Sequence, residues 1–266
     1  MEGIIVIKCG GSTMEQLPDT FFQAIAKLQR EGKPIVIVHG GGPAINGMLD
    51  KVQITPQFVD GLRVTCEDTL RVVEMVLCGS INKALVRRLT QAGAKAWGAS
   101  GIDGQTLIAE KTTKPLGWVG EVKQADTTIP LAILGQGYVP VIAPLSVSAD
   151  GSDAFNVNAD IAAGAIAASL SAEKLVMVTD VPGILRPLSD GSKELVQETS
   201  ADEIQQMIAD GVITGGMIPK VQAALDALSQ GVNQVVICRG TAEDLLAVSA
   251  GEAVGTTVRM NVNQPQ

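Results

Sequence analysis

Residues 35–43 read Ile-Val-Ile-Val-His-Gly-Gly-Gly-Pro. Four aliphatic residues, all β-branched, run without polar alternation into a histidine, three glycines and a proline. A short β-branched run of this kind suits a strand buried on both faces, as in a parallel sheet covered by helices. Residues 4–12, Ile-Ile-Val-Ile-Lys-Cys-Gly-Gly-Ser, repeat the arrangement with a second glycine pair.

Working outward, the same pattern recurs at Val139–Ala143, Leu175–Val178 and Val235–Cys238, and less sharply at Lys95–Ala99. Helical stripes lie between these runs. Phe21, Phe22, Ile25 and Leu28 form one before Glu31-Gly32. Leu70, Val73, Val76 and Leu77 form another that is expected to stop near Gly79, with Ile81, Leu85 and Leu89 in a new helix. Val221, Leu225 and Leu228 form a later one ending at Gly231. Alternating strands and helices predict an α/β protein: a three-layer, doubly wound fold with a mainly parallel central sheet. Residues 55–65 and 104–124 break the rhythm and read as hairpins or irregular loops, of the kind that close over ligands. One domain over residues 1–266 is expected, with an N-terminal lobe of about 1–170 and a C-terminal lobe of about 171–266.

Composition narrows the function classes. Hydrophobic residues make up 46% of the 266 and aromatics only 3%, so the core must be aliphatic. The net charge of −8 argues against a nucleic-acid surface, which needs a basic face. No apolar run approaches the ~18 residues of a membrane span. The start, Met1-Glu2-Gly3 followed at once by the first strand, does not read as a signal peptide, so a cytoplasmic protein is expected. The four cysteines, Cys9, Cys66, Cys78 and Cys238, form no CxxC pair, and His39 is the only histidine. A zinc site is therefore not expected, and the thiols read as reduced.

In an open α/β sheet, ligands bind beyond the carboxyl ends of the strands. Glycines there let backbone N–H groups converge on an anion, with no β carbon in the way. Two glycine clusters after two separate strands favour an anion site over mere tight turns. No GxxxxGK[ST] or GxGxxG occurs, which excludes a P-loop and weighs against a dinucleotide fold. His-Gly-Gly-Gly suits a lipase-type oxyanion loop, but no GxSxG elbow accompanies it.

Several charged residues bear on that anion. Lys8 closes the first strand. Lys220, in Gly215-Gly216-Met217-Ile218-Pro219-Lys220, sits in the first turn of a helix, where the dipole disfavours a cation unless an anion is present. Asp160, in Asn156-Val157-Asn158-Ala159-Asp160, reads on spacing alone as a first-turn acid behind the N-cap Asn158. Arg63, in Asp60-Gly61-Leu62-Arg63, can grip a carboxylate with two N–H groups.

Taken together, these pieces resemble the amino acid kinase family. The matching segments are KCGGS at 8–12, VHGGGP at 38–43, FVDGLRVT at 58–65, NVNAD at 156–160, TDVPGIL at 179–185 and GGMIPK at 215–220. They run in family order over nearly the whole chain. FVDGLRVT with NVNAD resembles the branch that acts on N-acetyl-L-glutamate. The resemblance implies ATP-dependent phosphorylation of that substrate's γ-carboxylate in arginine biosynthesis, with Mg²⁺ carried by ATP. Lys8 and Lys220 would neutralise the moving phosphoryl group, with Asp160 holding both lysines. Gly11 and Gly41 would donate N–H bonds to it. Gly41, Gly42, Arg63, Asn156 and Asn158 would bind the acceptor. Lys8, Gly10, Gly11, Thr179, Asp180, Gly183, Ile184, Gly215, Gly216, Met217 and Lys220 would bind the nucleotide.

A homodimer is expected. The first strand begins almost at the N-terminus, without the extra helix that links arginine-regulated relatives into hexamers, so insensitivity to arginine is expected as well. Two other readings stay open: a kinase for carrier-protein-linked aminoadipate, and an anion-sensing module without turnover.

Overall fold

Side-chain alternation along strand β1 (Ile5–Cys9) divides the core in two. Ile5, Ile7 and Cys9 enter one hydrophobic cluster, while Val6, with Ile4 before it, enters the other. Strand β2 (Ile35–His39) does the same, Ile35 and Ile37 to one side and Val36 and Val38 to the other. Successive residues of a strand point to opposite faces, so an unbroken apolar run demands a helical layer on each. The structure is a computed structural model and describes residues 1–14, 16–188 and 190–260.

The central sheet has eight strands. After β1 and β2 come β3 (Ala96–Ser100), β4 (Val139–Ala143), β5 (Lys174–Thr179), β6 (Glu198–Ser200), β7 (Val235–Arg239) and β8 (Thr256–Arg259). Their order is β6-β8-β7-β5-β1-β2-β4-β3. Every pairing is parallel except β7 with β8. All six expected strands are present. The two unexpected ones, β6 and β8, are short and polar and lie at one edge. Strand β1 is the switch point, with Ile5 level with Ile35 of β2 on one side and Lys174 of β5 on the other.

On one face lie α1 (Asp19–Arg30), α2 (Gly42–Lys51), α3 (Glu67–Glu74), α4 (Asn82–Gln91) and α9 (Ala242–Ala250). On the other lie α5 (Thr128–Gly135), α6 (Ala159–Ser169), α7 (Ala201–Ala209) and α8 (Met217–Ser229). These are the three layers expected. With so few aromatics, close helix approach replaces bulk. A β carbon on Gly164 of α6 would stand 3.3 Å from that of Ala227 on α8. Phe21 and Phe22 of α1 are fully buried, each worth roughly 1.5–3 kcal/mol of apolar burial.

The expected break near Gly79 does not occur. Helix α3 passes through a π-helical segment, Met75–Ile81, directly into α4. The wider turn absorbs an extra residue. Val73 before it, Val76, Leu77 and Ile81 within it, and Leu85 and Leu89 after it therefore reach the same core cluster although their spacing slips. That slip is what makes the sequence look like two helices.

The first irregular stretch is a hairpin. Phe58–Val59 pairs with Leu62–Arg63 across Asp60-Gly61, whose φ angles of 51° and 77° suit a primed two-residue turn. In the second stretch Leu107–Lys111 pairs with Gly120–Ala125. Trp118 stays outside the return strand and donates its N–H to the Thr65 carbonyl (2.6 Å), which ties this stretch to the end of the first one. Leu145–Val147 and Ala154–Asn156 complete this small sheet.

Candidate active site

The glycine loops after β1 and β2 meet at van der Waals distance. A β carbon on Gly11 would stand 2.6 Å from the Gly42 amide nitrogen and 2.7 Å from that of Gly41. One on Gly41 would strike Leu77 and Ile81 of the π-helical segment. At Gly11 the clash is with backbone and requires glycine, whereas at Gly41 two side-chain ends would have to move; the glycines leave a cluster of amides at the strand ends. Beside it, Lys8 Nζ lies 2.7 Å from Asp160 Oδ1, with side-chain exposures of 9% and 15%. Asn158 caps α6, its Oδ1 accepting from the Asp160 amide at 2.8 Å and the Ile161 amide at 3.3 Å. Asp160 is therefore a first-turn acid and an ion-pair partner at once. The two roles coincide because α6 begins directly beneath Lys8.

A cavity of about 230 Å³ opens from this cluster on the side of the hairpin. Lys8, Gly11, Gly41, Gly42, Asn156 and Asn158 are in its wall, and Phe58 and Leu62 supply apolar surface. Arg63 lines it and is 8% exposed, not a surface arginine. Its guanidinium stacks 4.8 Å from the Phe58 ring, and Nη2 donates to the Gly42 carbonyl at 3.4 Å. Burial pulls its pKa below the usual arginine value. Nη1 is buried and finds no partner among the described residues. Asn156 Nδ2 donates to Thr65 Oγ1 at 3.1 Å, which ties the small sheet to the base of the hairpin.

A larger cavity of about 700 Å³ lies on the other side of Lys8. Gly10, Gly11, Thr179, Asp180, Gly215, Gly216 and Lys220 line it, with Asn158 and Asp160. Lys8 and Lys220, from opposite ends of the chain, thus face one space. The Lys220 ammonium rests on the Gly216 carbonyl at 3.2 Å. Only the Lys8 half of the expected two-lysine clasp on Asp160 forms; Lys220 is held by its own helix start. Three of the expected nucleotide residues are outside the wall. The Ile184 amide is buried and donates to Thr256 Oγ1 at 2.8 Å. Gly183 packs against the same threonine, and Met217 packs on the core cluster beneath α8.

The two cavities share Lys8, Gly11, Gly61, Leu62, Asn158 and Asp160. Two anions could therefore approach each other along one line, with an ammonium group and glycine amides at their meeting point. Such a site can stabilise charge that spreads during transfer. Sequence reasoning did not place the tip of the hairpin, Gly61 and Leu62, between the cavities. The Asp-Gly pair marks a tight turn, but not where it points. Leu77 and Ile81 read only as core residues. Cys9 lies close to the site, yet burial raises its thiol to about 12, so it stays protonated and unreactive. Among the described residues no cluster of His, Cys, Asp and Glu could hold a metal ion, and no helix is long and apolar enough to cross a membrane.

Comparison with known proteins is consistent over the full length. The model of the amino acid kinase family matches residues 3–239. An acetylglutamate kinase of Brevibacillus brevis is 81% identical over 263 residues, 99% of each chain. An acetylglutamate kinase of Bacillus cereus is 48% identical over 263 residues, again 99% of each. Among solved structures, a Streptococcus mutans protein superposes with a TM-score of 0.84 at 33% identity, covering 98% of this chain and 100% of that one.

Proposed function

This chain belongs to the amino acid kinase family, among its acetylglutamate kinases, and from that premise we infer that it transfers the γ-phosphoryl group of ATP to the γ-carboxylate of N-acetyl-L-glutamate, the second step of arginine biosynthesis. The observation that carries this reading is the pair of cavities joined at Lys8. The smaller holds a buried guanidinium with an unpartnered N–H, and the larger holds a second lysine.

The substrate α-carboxylate sits on Arg63, with Asn156 beside it. Its γ-carboxylate points at the amides of Gly11, Gly41 and Gly42. ATP occupies the larger cavity, its phosphates towards Lys8, Lys220, Gly10 and Gly11. Thr179, Asp180 and the Gly215–Met217 segment surround the nucleotide, supported from below by Gly183 and Ile184. The acceptor is already ionised at neutral pH, since a free glutamate carboxyl has a pKa of about 4.3. No general base is needed. The work left to the protein is to align two anions and to stabilise a loose transition state with fixed cations and N–H groups. Lys8, steadied by Asp160, and Lys220 supply the cations. Mg²⁺ would arrive as part of the Mg-ATP substrate and would neutralise part of the phosphate charge.

The N-terminal lobe of about 1–170 binds the acceptor and the C-terminal lobe of about 171–266 the nucleotide. In favour of this division, among the described residues the smaller cavity is lined only by those between 8 and 160, whereas the larger combines residues of that lobe with others between 178 and 222. The protein acts as a cytoplasmic homodimer. In support, the outer edge of β3 carries no strand partner among the described residues, and all four cysteines are free thiols.

The decisive experiment incubates the protein with Mg-ATP and N-acetyl-L-glutamate and traps the acyl phosphate with hydroxylamine. Hydroxamate should form, and should not form with glutamate or N-acetylaspartate. Turnover only with a carrier-linked aminoadipate, or nucleotide binding with no ADP release, would replace this reading.

A further inference from the structure

We infer that His39 is a positioning residue for phosphoryl transfer: Asn82 holds it in one tautomer, and it anchors the Gly40–Gly41 peptide so that the Gly41 N–H faces the reacting groups. The inference deepens the kinase reading above and rests on it.

His39 is the last residue of β2 and is fully buried, as is Asn82 at the start of α4. Imidazole Nδ1 lies 3.1 Å from the Gly40 carbonyl oxygen, and Nε2 lies 3.2 Å from Asn82 Nδ2. An amide NH₂ only donates, so Nε2 must be the acceptor and the ring proton must sit on Nδ1. The orientation of Asn82 is itself fixed. Its Nδ2 is 2.9 Å from the Val141 carbonyl and 3.1 Å from that of Ala99. Turned over, its oxygen would face both carbonyls. As it stands, Oδ1 accepts from Lys83 Nζ at 3.0 Å. Two strand carbonyls and Nε2 share the two Asn82 N–H groups, so all three acceptors face its nitrogen; a proton on Nε2 would point at that nitrogen with nothing to accept it, and the other tautomer places a donor on Gly40.

A trans peptide is planar, so its C=O and N–H point in opposite directions. Holding the Gly40 carbonyl on the imidazole turns the Gly41 N–H the other way, towards Gly11 and the junction of the cavities. Leu77 and Ile81 close the space beside the Gly41 α carbon and so limit rotation of this peptide. Burial keeps the ring neutral, with a pKa lowered to about 4, which preserves the acceptor that Asn82 needs. His39 itself lines neither cavity, reaching the smaller one only through Gly40, and exchanges no proton with substrate. Its contribution is the direction of one amide.

The chain has a single histidine, so the imidazole can be read without assignment in the intact protein. ¹⁵N-imidazole NMR at pH 7 should show Nδ1 protonated and Nε2 unprotonated. In kinetics, His39→Gln places its amide at the Nε2 position and abandons Gly40; His39→Asn places an amide N–H where Nδ1–H was. His39→Gln should lose roughly tenfold or more in kcat, a fraction of what a lost oxyanion donor costs, with KM for ATP within about twofold. His39→Asn should recover most of that loss. An Nε2-protonated ring in the wild type would overturn the inference, as would equal kcat values for the two variants, whether both high or both low. Should His39→Gln not fold, judged by circular dichroism, the wild-type tautomer and the His39→Asn kcat still decide. A wild-type protein that makes no hydroxamate would count against the kinase reading and would leave the tautomer measurement standing.

Discussion

Lys8 Nζ and Asp160 Oδ1 are 2.7 Å apart although their residues come from the first strand and from a helix more than half the chain away. A largely buried ion pair is costly to break, because removing one partner strands the other charge. Here the lysine also faces both cavities. Lys8→Ala should lower kcat by about two to three orders of magnitude, the scale of a lost transition-state contact, with a smaller change in either KM. Asp160→Ala should lower kcat less, and the double variant should be no worse than Lys8→Ala. Steady-state ADP release measures all three; additive losses would mean that Asp160 acts independently of Lys8.

The glycine loops make a paired test. In Gly11→Ala the new methyl meets the backbone of the neighbouring loop at 2.6–2.9 Å, which no side-chain movement can relieve. The loops must separate, and kcat should fall at least about a hundredfold. Gly47 lies in the exposed face of α2 with nothing within 4 Å of its would-be β carbon. Gly47→Ala should raise stability by about 0.5–1 kcal/mol in urea unfolding and leave kcat unchanged.

Arg63 has one N–H donor on Gly42 and another without a protein partner. Lysine cannot reproduce this planar fork. Arg63→Lys should raise KM for N-acetyl-L-glutamate at least about tenfold and leave KM for ATP within about twofold. An unchanged KM for the acceptor would remove Arg63 from the acceptor site.

His39 also sets a pH dependence of stability. Its pKa falls from an ordinary 6.5 to about 4 on folding, mainly through burial. The unfolded chain takes up a proton below about 6.5 that the folded chain refuses until about 4. This group's contribution is therefore complete above pH 6.5 and lost as pH falls towards 4, about 3 kcal/mol in all. Between pH 7 and pH 5, wild type should lose about 2 kcal/mol more in urea unfolding than His39→Asn. Equal losses would show that the ring is not held neutral.

Much of this architecture is legible in the chain. Unbroken β-branched runs mark strands covered on both faces, and glycines at their ends mark the ligand side. The spacing of Asp160 showed its place in a helix but not the lysine beneath it, because that contact depends on where α6 meets β1. Arg63 was legible as a residue able to grip a carboxylate, but not as a buried one, because its burial depends on where the hairpin folds. His39 was conspicuous only as the lone histidine; its partner Asn82 is remote in sequence, and no local pattern joins them. β6 and β8 were missed because short polar edge strands carry little of the signal that buried ones do.

The π-helical segment has a further consequence. Residues 77 and 81 meet Gly41, and residue 82 meets His39, only at the helical phase this wide turn provides. Deleting Gly79 would remove the one residue this turn absorbs and return the segment to ordinary winding, leaving α4 in phase but redrawing the wall that Leu77 and Ile81 build beside Gly41. The contacts that limit rotation of the Gly40–Gly41 peptide would change while Asn82 stays on His39. The winding of this one helix thus shapes the space beside the Gly41 amide, although Gly79 itself lines neither cavity.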